Sequence, residues 1–111
     1  MEENIFNWLQ EWYISQCDGE WEHDEGIKIQ SSDNPGWIIE INVKDTEAEC
    51  FNIPWKLNER SENDWFGYRI ENGMYSAAGD PTKLSFLLSI FKGIISEKKA
   101  LPSILEIGIS N

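Results

Sequence analysis

The chain has 111 residues, 41% of them apolar, and six tryptophans, which suits one globular domain built around a single core. Its net charge is −11, and all of the excess lies in residues 1–55, where 13 Asp and Glu stand against 2 Lys; residues 56–111 hold 7 acidic and 7 basic residues. Without a basic patch or a run of roughly 18 apolar residues, binding to nucleic acid phosphates and insertion into a membrane are disfavoured.

The first predicted element is a helix over residues 4–16. Its apolar residues recur three and four positions apart, as on one face of a helix. They are Ile5, Trp8, Leu9 and Trp12, with Phe6 and Tyr13 widening the stripe. Gly19 is expected to stop the helix in a left-handed conformation.

Four or five strands are predicted to follow, because apolar and polar residues alternate. The residues expected to face the core are Ile27 and Ile29, then Trp37, Ile39, Ile41 and Val43, then Phe51, Ile53, Trp55 and Leu57, then Phe66, Tyr68 and Ile70. Pro54 indicates an edge strand or a bulge in the third of these strands. A short last strand is expected at Met74–Ala77.

Turn residues separate these strands. Asp33–Gly36 predicts a type II turn with Pro35 and Gly36 at its centre. The polar stretch Asn58–Asp64 predicts a longer turn, and Asn72 with Gly73 is a strong hairpin signal.

A second helix is predicted after Asp80, which suits the N-cap, and Pro81, which suits the first helical position. Its expected core stripe is Leu84, Leu87, Leu88, Phe91 and Ile95. The predicted fold is α+β: an antiparallel meander of four to five strands, with both helices packed on one face and the other face open. Residues 1–99 are predicted to form this domain, and residues 100–111 a C-terminal extension that packs on it, adds a strand or meets a second copy.

The most unusual stretch is "QCDGEWEHDEGIKI", residues 16–29, which holds five carboxylates within eight residues. If the first strand runs back through it, Trp21 and His23 face the core, while Glu22 and Asp24 face outward. Glu25 would then lie on the inner face, where a carboxylate must be desolvated or displaced.

Catalytic and metal sites are poorly supported by this stretch. One His and two scattered Cys, Cys17 and Cys50, do not have zinc-ligand spacing. A Cys17–His23 nucleophile pair is weak because Cys17 follows a helix C-terminus, so a small buried side chain is the commoner role for it. No carboxylate pair stands out for glycoside hydrolysis, and no phosphate-binding loop is present. The two cysteines could pair, although nothing resembles a signal peptide, so a reduced cytoplasmic protein is expected.

The stretch can also be interpreted as an acidic surface that binds a basic partner. The simpler interpretation is that these carboxylates form a solvated face with no partner. Glu40 would extend such a patch if the first two strands pair. Trp65 alternates with Phe66, Tyr68 and Ile70, so it is expected on the open face as an aromatic anchor, with Trp21 and Tyr68 as anchors if they reach the surface.

Several of these segments together resemble one known family. The ordered motifs W-L-x-E-W-Y, C-D-G-x-W-E-H, D-N-P-G-W and S-E-N-D-W are similar to the immunity protein 53 family of bacterial polymorphic toxin systems, over most of residues 6–95. The motif positions in this chain are Trp8, Trp12, Cys17, Asp18, Gly19, Trp21, Glu22, His23, Gly26, Asn34, Pro35, Gly36 and Trp37. Where the family has an aromatic residue before Gly26, this chain has Glu25, and the tail after Lys99 extends beyond the family's usual end.

The resemblance implies a cytoplasmic, non-catalytic protein that binds and neutralises a cognate toxin domain; many such toxins are nucleases with basic active sites. We therefore predict stoichiometric inhibition through an acidic surface, by a monomer or weak homodimer that needs no cofactor or metal and binds neither nucleic acid nor membrane. The predicted partner-binding residues are Asp18, Glu20, Trp21, Glu22, His23, Asp24, Glu25, Glu40 and Trp65. The alternative is a small ligand- or carbohydrate-binding module that uses exposed tryptophans.

Overall fold

The computed structural model describes residues 4–23 and 26–100, with residues 97–100 described by their backbone alone. The elements in chain order are helix α1 (Ile5–Gln16), a 3-10 turn (Trp21–His23), strands β1 (Ile27–Ser32), β2 (Gly36–Asn42), β3 (Ile53–Ser61), β4 (Asp64–Glu71) and β5 (Met74–Gly79), and helix α2 (Leu84–Ala100). The predicted α+β class, with one helix at each end of a five-stranded antiparallel sheet, is confirmed. The expectations for residues 101–111 lie outside the described residues.

The strand order is β1-β2-β5-β4-β3, so the sheet departs from a strict meander at one point. After β2 the chain passes to the far edge, and β3, β4 and β5 then return until β5 pairs with β2. The side chains explain this order. Tyr75 and Ala77 of β5 are buried, as a central strand requires, whereas β3 is exposed along nearly its whole length, as an edge allows.

The core lies between one face of the sheet and the two helices. Trp12 of α1 stacks on Trp8 and meets Phe91 of α2 edge to face, with ring centroids 4.9 Å apart in the second pair. The Tyr75 hydroxyl donates to the backbone oxygen of Leu87 at 2.8 Å, which ties the sheet to α2. The fully buried members of this core include Ile39, Ile41, Val43, Ile70, Leu87, Leu88 and Phe91. The opposite face of the sheet carries neither helix.

The two helices begin differently, and the second starts later than predicted. Asn4 caps α1 by accepting from the backbone N–H of Phe6 at 2.8 Å. Asp80 was expected at the N-cap of the second helix, yet α2 begins at Leu84. The Asp80 carboxylate instead accepts from the backbone N–H groups of Thr82 and Trp65, so it closes a turn before the helix and ties that turn to β4.

Two of the predicted turns differ in detail from the structure. Asp33–Pro35 do form a hairpin loop, but Gly36 does not take a left-handed φ, so the type II assignment is wrong. Gly36 opens β2, where a Cβ would lie 2.4 Å from the carbonyl oxygen of Gly79. The long polar turn over Asn58–Asp64 is also wrong, because β3 continues to Ser61 and β4 starts at Asp64. Polar residues are tolerated there because β3 is an exposed edge.

The Asn72–Gly73 hairpin is confirmed. Both residues have positive φ, 56° and 75°, which is the type I′ pattern that matches the twist of the flanking strands.

A bulge in β3 reverses the predicted facing of Trp55 and Leu57. Ile53 pairs with Ile70, but Lys56 pairs with Tyr68, so one extra residue lies on β3 next to Pro54. Leu57 is consequently opposite Gly67, on the face away from the helices. The bulge suggested by Pro54 is therefore present, and the expectation that Trp55 and Leu57 face the core is wrong.

Candidate functional site

The connection between α1 and β1 is not part of a strand. Trp21–His23 form a 3-10 turn, and β1 begins only at Ile27. Trp21 is 6% exposed and packs on Trp12 and Tyr13, with ring centroids 5.7 Å away in each case. His23 is exposed. The expectation that both face the core is thus wrong for His23, because residues two apart share a face in a strand but not in a three-residue turn.

Two of the acidic residues in this connection hold its shape. One oxygen of Asp18 accepts from the backbone N–H groups of Glu20 and Trp21, at 2.9 and 3.0 Å. The Glu22 carboxylate accepts from the N–H groups of Asp18 and Gly19, at 3.0 and 2.9 Å. The hydrogen bonds from Trp21 and Glu20 lower the pKa of Asp18. Asp18 and Glu20 are both exposed, but the Asp18 carboxylate is engaged by hydrogen bonds within the loop, so Glu20 is the best placed of the three to meet a partner.

The other predicted site residues are placed apart from this connection. Glu40 lies on the open face of the sheet, directly opposite Lys28 of β1 and Ser76 of β5. Glu40 therefore has Lys28 as its neighbour and does not extend the group of carboxylates in the α1–β1 connection. Trp65 is half-buried on the open face, since its neighbour Phe66 meets Phe86 of α2. Asp24 and Glu25 lie outside the described residues.

A second acidic segment, which the sequence analysis did not select, lies near the first. It is the β2–β3 loop, with Asp45, Glu47 and Glu49. Glu47 accepts from the side-chain nitrogens of Gln16 and Trp12, at 3.3 and 3.4 Å, which places the loop against the end of α1. The alternating acidic residues of D-T-E-A-E, residues 45–49, are the sequence pattern from which this loop could have been selected.

Backbone hydrogen bonds fix this loop at one end of the sheet. The N–H of Asn42 donates to the carbonyl oxygen of Gly26 at 2.8 Å, and the N–H of Val43 donates to that of Gly73 at 2.9 Å. We call this region the acidic end. Its described carboxylates are Asp18, Glu20, Glu22, Asp45, Glu47, Glu49 and Glu71.

The acidic end also contains a cavity and several basic side chains. An open cavity of about 730 Å³ lies between the β2–β3 loop and the β4–β5 turn, with Glu49, Phe51 and Glu71 among its lining residues. Lys44 lines the same cavity, and Arg69 lies 3.6 Å from Glu71. Lys28 lines a second cavity together with Glu22 of the α1–β1 connection. The seven carboxylates still outnumber these cations.

One lysine at the opposite end of the sheet is paired with two carboxylates. The Lys83 ammonium lies 2.8 Å from an oxygen of Asp64 and 2.8 Å from an oxygen of Asp80.

Groups suited to metal or thiol chemistry are not brought together. Within the described residues, no group of three or more His, Cys, Asp or Glu is placed to hold a metal ion. Cys17 and Cys50 are both free thiols on the surface, so the expectation that Cys17 is buried is wrong. The Cys17 thiol lies 3.2 Å from the backbone oxygen of Tyr13.

Comparison with known proteins identifies the family of this chain. The family model named Immunity protein 53 matches residues 6–96. The chain belongs to this family. Members of the immunity protein 53 family act against a toxin, and the family is not one of enzymes. No curated protein and no solved structure is significantly similar to the chain.

The matched region includes all five strands and most of α1 and α2, so the acidic end and the open face of the sheet both belong to the immunity protein 53 domain. Across the described part of the chain, neither helix has the length and apolar character that crossing a bilayer requires.

Proposed function

We propose that this immunity protein neutralises its toxin by forming a stoichiometric complex in the cytoplasm, and that the acidic end attracts a basic toxin domain. The observation that carries the proposal is the convergence of carboxylates from two separate loops, the α1–β1 connection and the β2–β3 loop, at one end of the sheet. No catalytic step by the immunity protein is required.

Like charges gathered on one surface act together on an approaching partner. Their potentials add, and a partner of opposite charge is attracted and oriented before contact, which raises the association rate. A nuclease toxin suits this surface, because an active site that holds phosphates is basic. Occupation of that site by the acidic end would exclude the nucleic acid substrate.

The predicted contact residues take different roles in this proposal. Glu20 and His23 are exposed and can meet the toxin directly. Asp18 and Glu22 contribute charge while they hold the loop in shape. Trp21 is buried beneath the loop and packs against the core, so it is not an anchor for the toxin. Asp24 and Glu25 extend the same loop in sequence, and Asp45 and Glu49 are added to the set.

Reversing the charge of Glu20 tests the proposal with little effect on the fold. We expect Glu20→Lys to lower the association rate with the toxin domain about three- to tenfold at low salt, with the difference shrinking as salt is raised. Stopped-flow or surface plasmon resonance measurements over a range of salt concentrations give both quantities. The toxin domain is obtained by co-expression from the gene beside that of the immunity protein.

Glu62→Lys is the matched control. Glu62 is exposed in the β3–β4 turn, at the far end of the sheet, and the change in net charge is the same. If both variants slow association equally, the effect follows total charge and the acidic end has no special role. If the purified wild-type protein and toxin form no complex, neutralisation by direct binding is wrong.

A further inference from the structure

The face of the sheet away from the helices carries large apolar side chains on its surface. Trp55 is 46% exposed and Leu57 is 55% exposed, both on β3. Exposed apolar residues are ordinary when scattered, but a contiguous set on one face marks a contact surface. Trp55 and Leu57 form such a set only if other apolar residues adjoin them.

The strand register shows that they do. Reading across the sheet, Ile38 pairs with Ala78, Ala78 with Gly67, and Gly67 with Leu57. This row, which we call the apolar strip, crosses four strands without a charged residue. Trp65 lies on the same face, two residues before Gly67 on β4.

Trp55 is held against this strip. A Cβ placed on Gly67 would lie 2.3 Å from one atom of the Trp55 indole and 2.6 Å from another, so the ring rests directly on the bare backbone of β4. An aromatic side chain that is already ordered loses little conformational freedom when a partner covers it. Trp55 therefore has the properties of a preformed anchor.

The neighbouring row on the same face is polar and of mixed charge. Lys28 is opposite Glu40, Glu40 is opposite Ser76, and Ser76 is opposite Arg69. An apolar centre beside a polar border is the usual composition of a protein–protein interface.

This face is continuous with the acidic end. Met74 is the first residue of β5 and pairs with Glu71, which belongs to the acidic end and shares its face with Arg69. A partner that is attracted by the acidic end would reach the apolar strip without leaving the protein surface.

We propose that the open face, anchored by Trp55 and Leu57, is the surface on which the toxin domain docks. This inference rests on the proposed function and adds the apolar contact that would make dissociation of the complex slow. The occupant is a toxin surface with an apolar projection bordered by basic side chains. A second copy of this chain is a poorer occupant, because both copies carry a net charge of −11 and repel each other, whereas a basic toxin is attracted.

The test is the affinity of purified variants for the toxin domain encoded beside the immunity gene, measured by calorimetry. We expect Leu57→Asp to weaken binding about 30-fold or more, as for an apolar anchor residue that becomes buried in the complex. Phe6→Asp is the matched control, because Phe6 is 44% exposed on α1, away from the open face, and the change in charge is the same. It should change the affinity less than about threefold.

Gly67→Ala is a second variant that keeps Trp55 but displaces its ring, and we expect it to weaken binding about tenfold. If Gly67→Ala fails to fold, Trp55→Ala replaces it, since removal of an exposed side chain leaves the core intact. Unchanged affinity for Leu57→Asp, while the wild type binds, overturns the open-face proposal and leaves the proposed function standing.

Two further outcomes separate the alternatives. Self-association of the wild type without toxin, abolished by Leu57→Asp, would make a second copy the occupant and overturn the inference. Absence of any complex between the wild type and the toxin would overturn the proposed function and this inference together.

Discussion

Replacement of Asp80 by alanine is expected to lower the free energy of unfolding by about 3–4 kcal/mol. The Asp80 side chain is 0% exposed, and its two oxygens accept hydrogen bonds from Trp65, Thr82 and Lys83. Without the carboxylate, the N–H groups of Trp65 and Thr82 lose their acceptor in a site that water does not reach. Urea denaturation followed by tryptophan fluorescence measures the change.

Asp64→Ala is the control for this variant. Asp64 pairs with the same lysine at the same distance of 2.8 Å, but its side chain is 47% exposed. Surface ion pairs contribute about 0–1 kcal/mol, so Asp64→Ala should be nearly neutral. Equal losses for the two variants would show that the ion pair with Lys83 matters and the buried backbone contacts do not.

The same carboxylate makes stability depend on pH. Burial alone would raise the pKa of Asp80, but hydrogen bonds from Lys83, Thr82 and Trp65 outweigh it and hold the pKa below the ordinary value. A group whose pKa is lowered by folding stabilises the protein above its unfolded pKa of about 3.9, and that contribution is lost as the pH falls below it. The wild type should therefore lose more stability than Asp80→Ala between pH 6 and pH 2.5, since the variant has already lost this contribution.

Replacement of Trp12 by alanine is expected to lower the free energy of unfolding by about 4 kcal/mol, because it leaves a cavity where three aromatic rings meet. Trp12 packs against Trp8, Trp21 and Phe91, with centroid distances of 6.5, 5.7 and 4.9 Å. It also donates to Glu47, so the variant should loosen the β2–β3 loop. Thermal and urea unfolding measure the loss, and Trp12→Phe, which fills part of the space, should recover some of it.

Trp55→Ala provides the comparison, because it removes the same side chain from the open face. We expect a loss of less than about 1 kcal/mol in stability, together with the loss of toxin affinity inferred above. Trp12→Ala should show the reverse balance, with a large loss of stability and, in the fraction that stays folded, a smaller loss of affinity that comes from the loosened β2–β3 loop. A Trp55→Ala variant as unstable as Trp12→Ala would show that Trp55 belongs to the core.

The sequence was sufficient to predict features that depend on local pattern. Helical spacing identified α1 and the buried residues of α2, and Asn72 with Gly73 identified a hairpin whose φ angles match. These signals depend on residues close in sequence, which is why they could be read without knowing the fold.

Features that depend on distant parts of the chain were not predictable in the same way. The inward facing of Trp55 and Leu57 was wrong because one extra residue in β3 reverses the alternation, and Pro54 indicated a bulge without fixing its position. Asp80 does not cap α2 as expected, because its carboxylate accepts hydrogen bonds from Trp65, which lies on β4, and from Lys83, which lies in the turn before α2.

The acidic site shows the same limit. The α1–β1 connection was selected by its density of carboxylates, and the structure folds it into a turn held by Asp18 and Glu22. The β2–β3 loop joins it through contacts between residues more than 30 positions apart, such as Trp12 and Glu47. Only the three-dimensional fold could show that two charged segments meet at one end of the sheet.

The strand order has a consequence for how the chain reaches its native state. β1 with β2, and β3 with β4 and β5, are each joined by tight hairpins, whereas β2 and β5 are paired by residues 32 to 42 positions apart, from Asn42 with Met74 to Trp37 with Gly79. Closing a long loop costs more entropy than closing a hairpin. The two hairpin units should therefore form early, and the pairing of β2 with β5 should form last. Until that step the β2–β3 loop is a tether between half-sheets, although the β1–β2 hairpin already brings the start of this loop beside the α1–β1 connection, through the hydrogen bond from Asn42 to Gly26.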